Sequence, residues 1–391
     1  MKVTAKTLGA CLAGIIVTGV ALSLAGCGGK KSAAEAPAEA AATAADPILI
    51  GLLLETYDVA RWARDEQYLS EAARASGAEV VRAVANGDQD KQNQQADTFL
   101  TKGADVLVVV PKNLKTAARI VKSAHEKSVP VLAYDRLIRN CDLDMYITFD
   151  NEQVGYLQAK GVLEKVPQGN FILLGGAASD NNAALLRKGQ LKAIAEHEAA
   201  TGNKINVLDD PFLDNWDKEE ARRKISNMLT RFKAEDKNVD AIVASNDGTA
   251  GGAIAALKAE GLDGKVAVSG QDAELGACQR VVEGTQTVTV YKPVRLLAGA
   301  AGEIAVRLAK GETPESIAEA LGYALQHLNN GTKDVPSIYL EPVFVTKENM
   351  RETVVKDGWH PEEKIYANLP AQSGGAVEAG VPKVGRAGAG E

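Results

Sequence analysis

Several apolar segments of this sequence lead into short polar stretches. These stretches are, in chain order, Asp135-Arg136, Asp180-Asn181-Asn182, Ser245-Asn246-Asp247, Gly270-Gln271-Asp272 and Tyr291-Lys292-Pro293. Asp and Asn exchange hydrogen bonds with hydroxyl groups, and Arg and Lys donate to hydroxyl and ring oxygens, in bonds that charge makes stronger. A buried site of this kind rejects a ligand that lacks a hydroxyl, because one of its polar groups is then left unpaired. The residue types therefore predict a site for a small polyhydroxylated molecule such as a sugar.

A sugar also has apolar C–H faces, which pack well against a flat aromatic ring. Aromatic residues make up only 5% of the chain, yet Trp62 and Trp216 both stand near polar stretches. Trp216 lies in the polar segment 212–218, where a core tryptophan is less expected, so stacking on a ligand is favoured there. For Trp62, stacking and ordinary core packing are equally consistent with the sequence.

The apolar segments themselves predict the fold class. Between residues 47 and 345, continuous apolar strands alternate with amphipathic helices, a pattern typical of parallel βαβ units with both sheet faces covered. The pattern occurs twice, which predicts an α/β protein of two doubly wound parallel-sheet lobes. Ligands of such sheets bind beyond the carboxyl ends of the strands. A single Asp180 or Asp247 is equally explained as a helix cap, but capping does not explain why such residues recur at successive strand ends.

The two ends of the chain have a different character. Lys2 and Lys6, an apolar run and the sequence Leu24-Ala-Gly-Cys27 predict a lipoprotein signal peptide over residues 1–26, with lipid attached to Cys27. The alternative, an uncleaved membrane helix, would have to span the bilayer with a short run. Residues 27–46 are expected to form a flexible linker and residues 364–391 a disordered tail, because neither has the apolar content of a core.

Composition and missing motifs exclude several classes of function. The 391 residues carry a formal net charge of −7 and no dense basic cluster, so no nucleic-acid partner is expected. The chain has neither the G-x-G-x-x-G turn of dehydrogenases nor the G-x-S-x-G motif of hydrolases, so an enzyme is not expected. The four histidines lack metal-ligand spacing, and the sequence predicts no cofactor and no metal. Cys141 and Cys278 are expected to be unpaired, buried thiols.

Ordered motifs along residues 47–363 identify a resemblance. The chain resembles periplasmic sugar-binding proteins of the ribose and galactose type, and among them the D-xylose-binding proteins of ABC transport systems. The motifs that carry this resemblance are Ala85-Asn-Gly87, Val131-Leu-Ala-Tyr-Asp-Arg136, Thr148-Phe-Asp-Asn151, Asp180-Asn-Asn182, Ala244-Ser-Asn-Asp247, Ser269-Gly-Gln-Asp272, Tyr291-Lys-Pro293, Leu328-Asn-Asn-Gly331 and Lys333-Asp-Val-Pro-Ser337. The first loop, residues 55–60, departs from the pattern, so contacts before Arg61 are not carried over.

The resemblance implies the fold of a type I periplasmic binding protein, with lobes joined by a three-stranded hinge. Residues 47–150 plus 291–331 would form the first lobe, and residues 151–290 plus 332–363 the second. The crossings are expected near Asp150, residues 288–291 and residues 331–337. The ligand-binding residues that it implies are Arg61, Asp135, Arg136, Asn182, Trp216, Asn246, Asp272 and Lys292. Trp62 and Arg187 are further candidates, although Arg187 is equally consistent with an exposed helix position.

The resemblance also implies a function. The protein is expected to capture a monosaccharide, D-xylose, by lobe closure and to deliver it to an ABC permease. The lipid site at Cys27 and the linker are not part of the soluble family pattern; they predict an extracytoplasmic, membrane-anchored lipoprotein, which is expected to be a monomer. Alternatives that remain open are a sugar sensor acting on a chemoreceptor or histidine kinase, and a receptor for ribose, arabinose or glucose.

Overall fold

The computed structural model describes residues 46–370. The predicted signal peptide, Cys27 and all of the linker except Asp46 lie outside the described residues, as does the tail after residue 370. Among the described residues, no helix combines the length and apolar composition needed to cross a bilayer.

Strands and helices alternate along most of the chain. The strands are β1 (Ile48–Leu54), β2 (Ala78–Val84), β3 (Val106–Val109), β4 (Val131–Tyr134), β5 (Met145–Phe149), β6 (Gly169–Leu174), β7 (Ile205–Asp209), β8 (Ala241–Ala244), β9 (Ala267–Val268), β10 (Thr289–Tyr291), β11 (Leu325–Asn329), β12 (Asp334–Leu340) and β13 (Val343–Val345). The helices are α1 (Trp62–Ala75), α2 (Gln89–Thr101), α3 (Ala118–His125), α4 (Asn151–Lys165), α5 (Asn181–Thr201), α6 (Lys218–Ala234), α7 (Asp247–Ala259), α8 (Leu275–Glu283), α9 (Val294–Ala309), α10 (Pro314–Leu321) and α11 (Glu362–Ile365), with a π-helical turn at Arg351–Val355.

Two sheets form the cores of two lobes, as the alternating pattern predicts. The first lobe is built on seven strands in the order β11-β12-β5-β4-β3-β1-β2, and the second on four strands in the order β7-β6-β8-β9. All pairs are parallel except β11 with β12. The central strands β3, β4 and β8 are buried along their whole length, which is why they read as continuous apolar runs.

The chain passes between the two lobes three times. Asp150 joins β5 to α4, and β10 leads from the second lobe into α9. The third passage lies between β12 and β13, beyond the expected residues 331–337. Residues 334–340 do not join the second lobe, because β12 pairs in parallel with β5 of the first sheet. After the passage, β13 pairs antiparallel with β10.

Some elements differ from the sequence prediction. Strand β5 and the β11–β12 hairpin are not predicted. β5 has only five residues and follows a polar stretch, whereas polar residues, and Pro336 in β12, interrupt the apolar runs of the hairpin. The folded part also extends past residue 363, where the tail was expected to begin. Ile365 is buried in an apolar cluster that includes Cys278 and Val281 of α8, and Leu369 packs against the same cluster, so these two apolar residues hold the segment in place.

Helices α4 and α5 pack at very close range in the second lobe. A Cβ atom on Gly155 would lie 1.9 Å from the Leu186 carbonyl oxygen, and one on Gly189 would lie 1.9 Å from the Glu152 carbonyl oxygen. Only glycine at both positions permits this approach of the two backbones.

We expect Gly155→Ala to lower the free energy of unfolding by about 1–3 kcal/mol, since the added methyl group must push the two helices apart. The matched control is Gly299→Ala in α9, where an added Cβ meets no heavy atom within 4 Å. The control is expected to be neutral or to stabilise the protein by up to about 1 kcal/mol. Urea unfolding followed by circular dichroism measures both; equal stability of the two variants would contradict the packing argument.

Candidate functional site

A small cavity lies between the lobes at the carboxyl ends of the strands. About 320 Å³ of space, part of it open to solvent, lies between its lining atoms. The cavity is lined by Val59, Arg61, Trp62, Asp135, Arg136, Asp180, Asn182, Trp216, Asn246, Gln271, Asp272 and Lys292. Nine of the ten sequence-predicted site residues are therefore brought together here. The exception is Arg187.

Arg61 is held by carboxylates from both lobes. Its guanidinium contacts Asp65 at 2.7 Å and Asp135 at 2.9 Å, and Asp272 Oδ1 lies 3.8 Å from Nη1. Burial alone would lower the pKa of Arg61, but the charges of Asp135 and Asp65 outweigh it and the pKa lies well above its usual value. Arg61 therefore stays cationic in a site that excludes water.

Arg136 forms a second ion-paired centre. It bonds Glu55 of the first lobe at 2.9 Å through Nη1 and Asp180 of the second lobe at 2.8 Å through Nε. Asp180 Oδ2 also accepts a hydrogen bond from Trp216 Nε1 at 3.2 Å. The two lobes are thus linked through side chains that line the cavity.

Asp135 stands in the left-handed backbone region, with a φ of 61°, at the end of β4. Its carbonyl oxygen accepts hydrogen bonds from Thr148 Oγ1 at 2.7 Å and from Asn182 Nδ2 at 3.0 Å, the latter across the lobe boundary. Burial alone would raise the pKa of Asp135, but the charges of Arg61, Lys292 and Arg136 outweigh it, so the pKa lies below its usual value. The carboxylate is therefore ionised at neutral pH.

Two residues of the second lobe both cap a helix and line the cavity. Asn246 caps α7, with its side-chain oxygen accepting from Thr249 N at 2.9 Å and from Thr249 Oγ1 at 2.7 Å. Asp180 caps α5 in the same way, accepting from Asn182 N at 2.9 Å. For Asp180, capping and site formation, which the sequence presents as alternatives, are combined in one side chain. The capping interpretation of Asp247 is wrong, because Asn246 caps α7.

The two cavity tryptophans have different surroundings. Trp62 is buried, with the Arg61 guanidinium 4.7 Å and the Arg136 guanidinium 5.5 Å from its ring centre. Trp216 is partly exposed and its ring packs on Gly176, where an added Cβ would come within 2.1 Å of the indole. Trp216 is thus the less enclosed of the two aromatic walls.

Unpaired polar atoms concentrate at this cavity. Among residues 46–370, six buried side-chain nitrogen or oxygen atoms have no hydrogen-bonding partner in the protein. Four of the six belong to cavity residues: Trp62 Nε1, Asp135 Oδ2, Gln271 Oε1 and Asp272 Oδ1. Asp135 Oδ2 lies 2.9 Å from Arg61 Nη1 as an ion pair, without hydrogen-bond alignment. One donor and three acceptors are therefore available to a ligand.

Arg187 does not line the cavity. Its guanidinium bonds the Leu173 carbonyl at 2.7 Å and Asp210 at 3.0 Å, and it stacks on Phe212 at 4.7 Å. It is largely buried, so its alternative interpretation as an exposed helix residue is also wrong. These partners come from β6 and the loop after β7, which no local sequence pattern around Arg187 reveals.

Three cavity residues are absent from the predicted set: Val59, Asp180 and Gln271. The polar stretches at the strand ends do contain Asp180 and Gln271, so position at a strand end was an available signal. Val59 lies in the first loop, which departs from the family pattern.

Known proteins share this architecture. The model of the periplasmic binding protein domain matches residues 50–313. The D-xylose-binding periplasmic protein of Haemophilus influenzae is 48% identical over 317 residues, covering 81% of this chain and 92% of that protein. The protein of the same name from Escherichia coli is 46% identical over 321 residues, covering 82% and 93%.

Solved structures of sugar-bound proteins share this fold. The carbohydrate transporter solute binding protein of Chloroflexus aurantiacus, in complex with D-glucose, has a TM-score of 0.72 and 32% identity, covering 82% of this chain and 98% of that one. The ABC transporter solute binding protein of Clostridium phytofermentans, with bound β-D-glucose, has a TM-score of 0.71 and 26% identity, covering 81% and 99%. With this fold, this cavity and these relatives, the chain belongs to the periplasmic binding protein family.

Proposed function

We propose that this protein captures a monosaccharide, D-xylose, between its two lobes and delivers it to an ABC permease. The observation that carries the proposal is a set of four buried polar atoms around one small cavity, on Trp62, Asp135, Gln271 and Asp272, that make no hydrogen bond within the protein. Buried polar groups are normally hydrogen-bonded, so a ligand rich in hydroxyl groups is the natural partner for them.

The charges of the lining favour a neutral ligand. Three cationic residues, Arg61, Arg136 and Lys292, face three anionic residues, Asp135, Asp180 and Asp272. A ligand with a net charge would upset this balance in a site of low dielectric, whereas a neutral polyol accepts from the cations and donates to the carboxylates. The partly exposed ring of Trp216 supplies a surface for the apolar face of a sugar.

Lobe closure accounts for tight capture. Asp135 and Arg61 belong to the first lobe, while Asp272 and Asn182 belong to the second, so a sugar held by one lobe meets its remaining partners on closing. To shift the protein from mostly open to mostly closed, the ligand must bind the closed form more tightly than the open form by about 5.5 kcal/mol. Hydrogen bonds to charged groups contribute about 1.5–3 kcal/mol each, so a few bonds made only in the closed form suffice.

The choice of D-xylose rests on the relatives. Two relatives at 46% and 48% identity are named D-xylose-binding periplasmic proteins. Their names also support an extracytoplasmic location for this chain. We further propose that the protein is a monomer held at the membrane by a lipid on Cys27.

We expect Asp272→Ala to weaken D-xylose binding by tenfold or more, because a charge-assisted hydrogen bond to the sugar is lost. Isothermal titration calorimetry measures the affinity. The control is Asp214→Ala, which removes an exposed carboxylate outside the cavity and is expected to change affinity less than twofold. Unchanged binding by the Asp272 variant would remove this carboxylate from the site.

Trp216→Leu is expected to weaken D-xylose binding about threefold to tenfold, since an aliphatic side chain offers no flat ring for stacking. Trp216→Phe keeps a ring but loses the hydrogen bond to Asp180, and should retain more affinity than the Leu variant. The sugar-induced change in tryptophan fluorescence should also shrink in both variants. Equal affinities of the Leu variant and the parent protein would count against stacking.

For the anchor, Cys27→Ser is expected to abolish incorporation of labelled palmitate into the protein, because the lipid acceptor is lost. Metabolic labelling followed by immunoprecipitation measures this, with Cys141→Ser as the control that should keep the label. Incorporation of the label into the Cys27 variant would contradict a lipid on Cys27.

A further inference from the structure

One backbone carbonyl beside the cavity accepts three hydrogen bonds. The oxygen of Ala273 receives Trp359 Nε1 at 2.9 Å, His360 Nε2 at 2.9 Å and Cys278 Sγ at 3.4 Å. A carbonyl oxygen offers two lone pairs, so its accepting capacity is fully used, as it is at Asp135, whose carbonyl accepts from Tyr146, Thr148 and Asn182. Ala273 directly follows Asp272, so this carbonyl belongs to the loop that presents a cavity carboxylate.

The backbone of this loop is in a conformation that L-residues rarely adopt. Asp272 has a φ of 91° and Ala273 a φ of 47°, and neither is glycine. Such residues persist only where their surroundings hold them. Besides the three donors to its oxygen, the Ala273 amide donates to Thr289 Oγ1 at 3.2 Å. The loop is therefore fixed from outside rather than by its own backbone preference.

Two of the three donors, Trp359 and His360, come from a segment, residues 357–360, that also contacts the first lobe and the hinge. Arg64, two residues after Trp62, donates to the Trp359 carbonyl at 2.5 Å, and its guanidinium lies 4.1 Å from the Trp359 ring centre. Tyr291, the residue before Lys292, lies 5.7 Å from Trp359 between ring centres, and its hydroxyl donates to Asp357. One segment thus touches three places, each within two residues of a cavity side chain.

We propose that Trp359 and His360 are positioning residues, which hold the Asp272–Ala273 backbone so that the Asp272 carboxylate faces the sugar in the closed form. The inference rests on the proposed function. Residues 357–360 also contact Arg64 of the first lobe and Tyr291 of the hinge. The Asp272 carboxylate therefore takes up its position as the lobes close.

The protonation of His360 agrees with a donor role. A carbonyl oxygen can only accept, so the ring nitrogen facing Ala273 carries the proton. Burial lowers the pKa of His360 to about 4, although the bond to Ala273 opposes this, so the ring is neutral at neutral pH. The neutral tautomer with a proton on Nε2 supplies the hydrogen bond.

The first test is Trp359→Phe, which keeps an aromatic ring beside Tyr291 and Arg64 but removes the indole N–H. We expect the dissociation constant for D-xylose to rise about threefold to tenfold, and His360→Phe to act in the same direction. The control is Gln279→Met, which removes a hydrogen bond between α8 and the Lys364 carbonyl without touching Ala273. The control should change affinity less than twofold in calorimetry.

A double-mutant cycle distinguishes an effect of Trp359 on the position of Asp272 from a general loss of order in the protein. If Trp359 acts through Asp272, then Trp359→Phe introduced into the Asp272→Ala protein should change affinity less than twofold further. Ala273→Gly, which adopts a positive φ without strain, should restore at least half of the affinity lost in Trp359→Phe on a logarithmic scale. Additive losses in the cycle, or no recovery with glycine, would overturn the inference.

The failures of the two proposals are distinguishable. Absence of D-xylose binding by the parent protein contradicts the proposed function. Binding by the parent protein with unchanged affinity in both Trp359→Phe and His360→Phe contradicts only the positioning role. If Trp359→Phe does not fold, as judged by circular dichroism, the same cycle with His360→Phe decides the question.

Discussion

The cavity is organised by the need to pair every charge that the two lobes bury. A lone buried ion is strongly unfavourable, and even a pair is tolerated only with good geometry and further hydrogen bonds. Arg61 meets this condition by contacting Asp65 and Asp135, and Arg136 by contacting Glu55 and Asp180. The Arg136 pairs join residues from different lobes. The charges can therefore be satisfied together only where the strand ends of both lobes converge.

The sequence reveals the strand ends well and the partners of individual side chains poorly. Asp135, Asn246 and Asp272 could be predicted because each follows a buried apolar strand, and their convergence follows from parallel sheet geometry. The fate of Arg187 could not be predicted, because its bonds to Leu173 and Asp210 depend on how a helix lies over a sheet. A helical position for Arg187 is equally compatible with a side chain exposed to solvent, one in an ion pair and one in contact with a ligand.

The missed strands have a related cause. β5 contains only five residues and follows a polar stretch, and β12 carries Pro336 and Ser337 within its pairing region. Both strands are specified by the neighbours they join, since β5 inserts between β4 and β12 in a sheet already defined by stronger apolar runs. The sequence therefore predicts the third passage between the lobes too early in the chain, because the passage begins only where the pairing of β12 ends.

Several polar groups of the cavity are held by hydrogen bonds within a single lobe. Asn246 and Asp180 are held as helix caps within the second lobe, and the Asp135 carbonyl is held by Thr148 within the first. Side chains ordered in this way lose little further rotamer freedom on binding, which favours affinity. Asp272 differs, because its loop is held by a segment that also contacts the first lobe through Arg64. The free energy of closure should therefore depend most on the cross-lobe ion pairs and on this loop, and least on the capping residues.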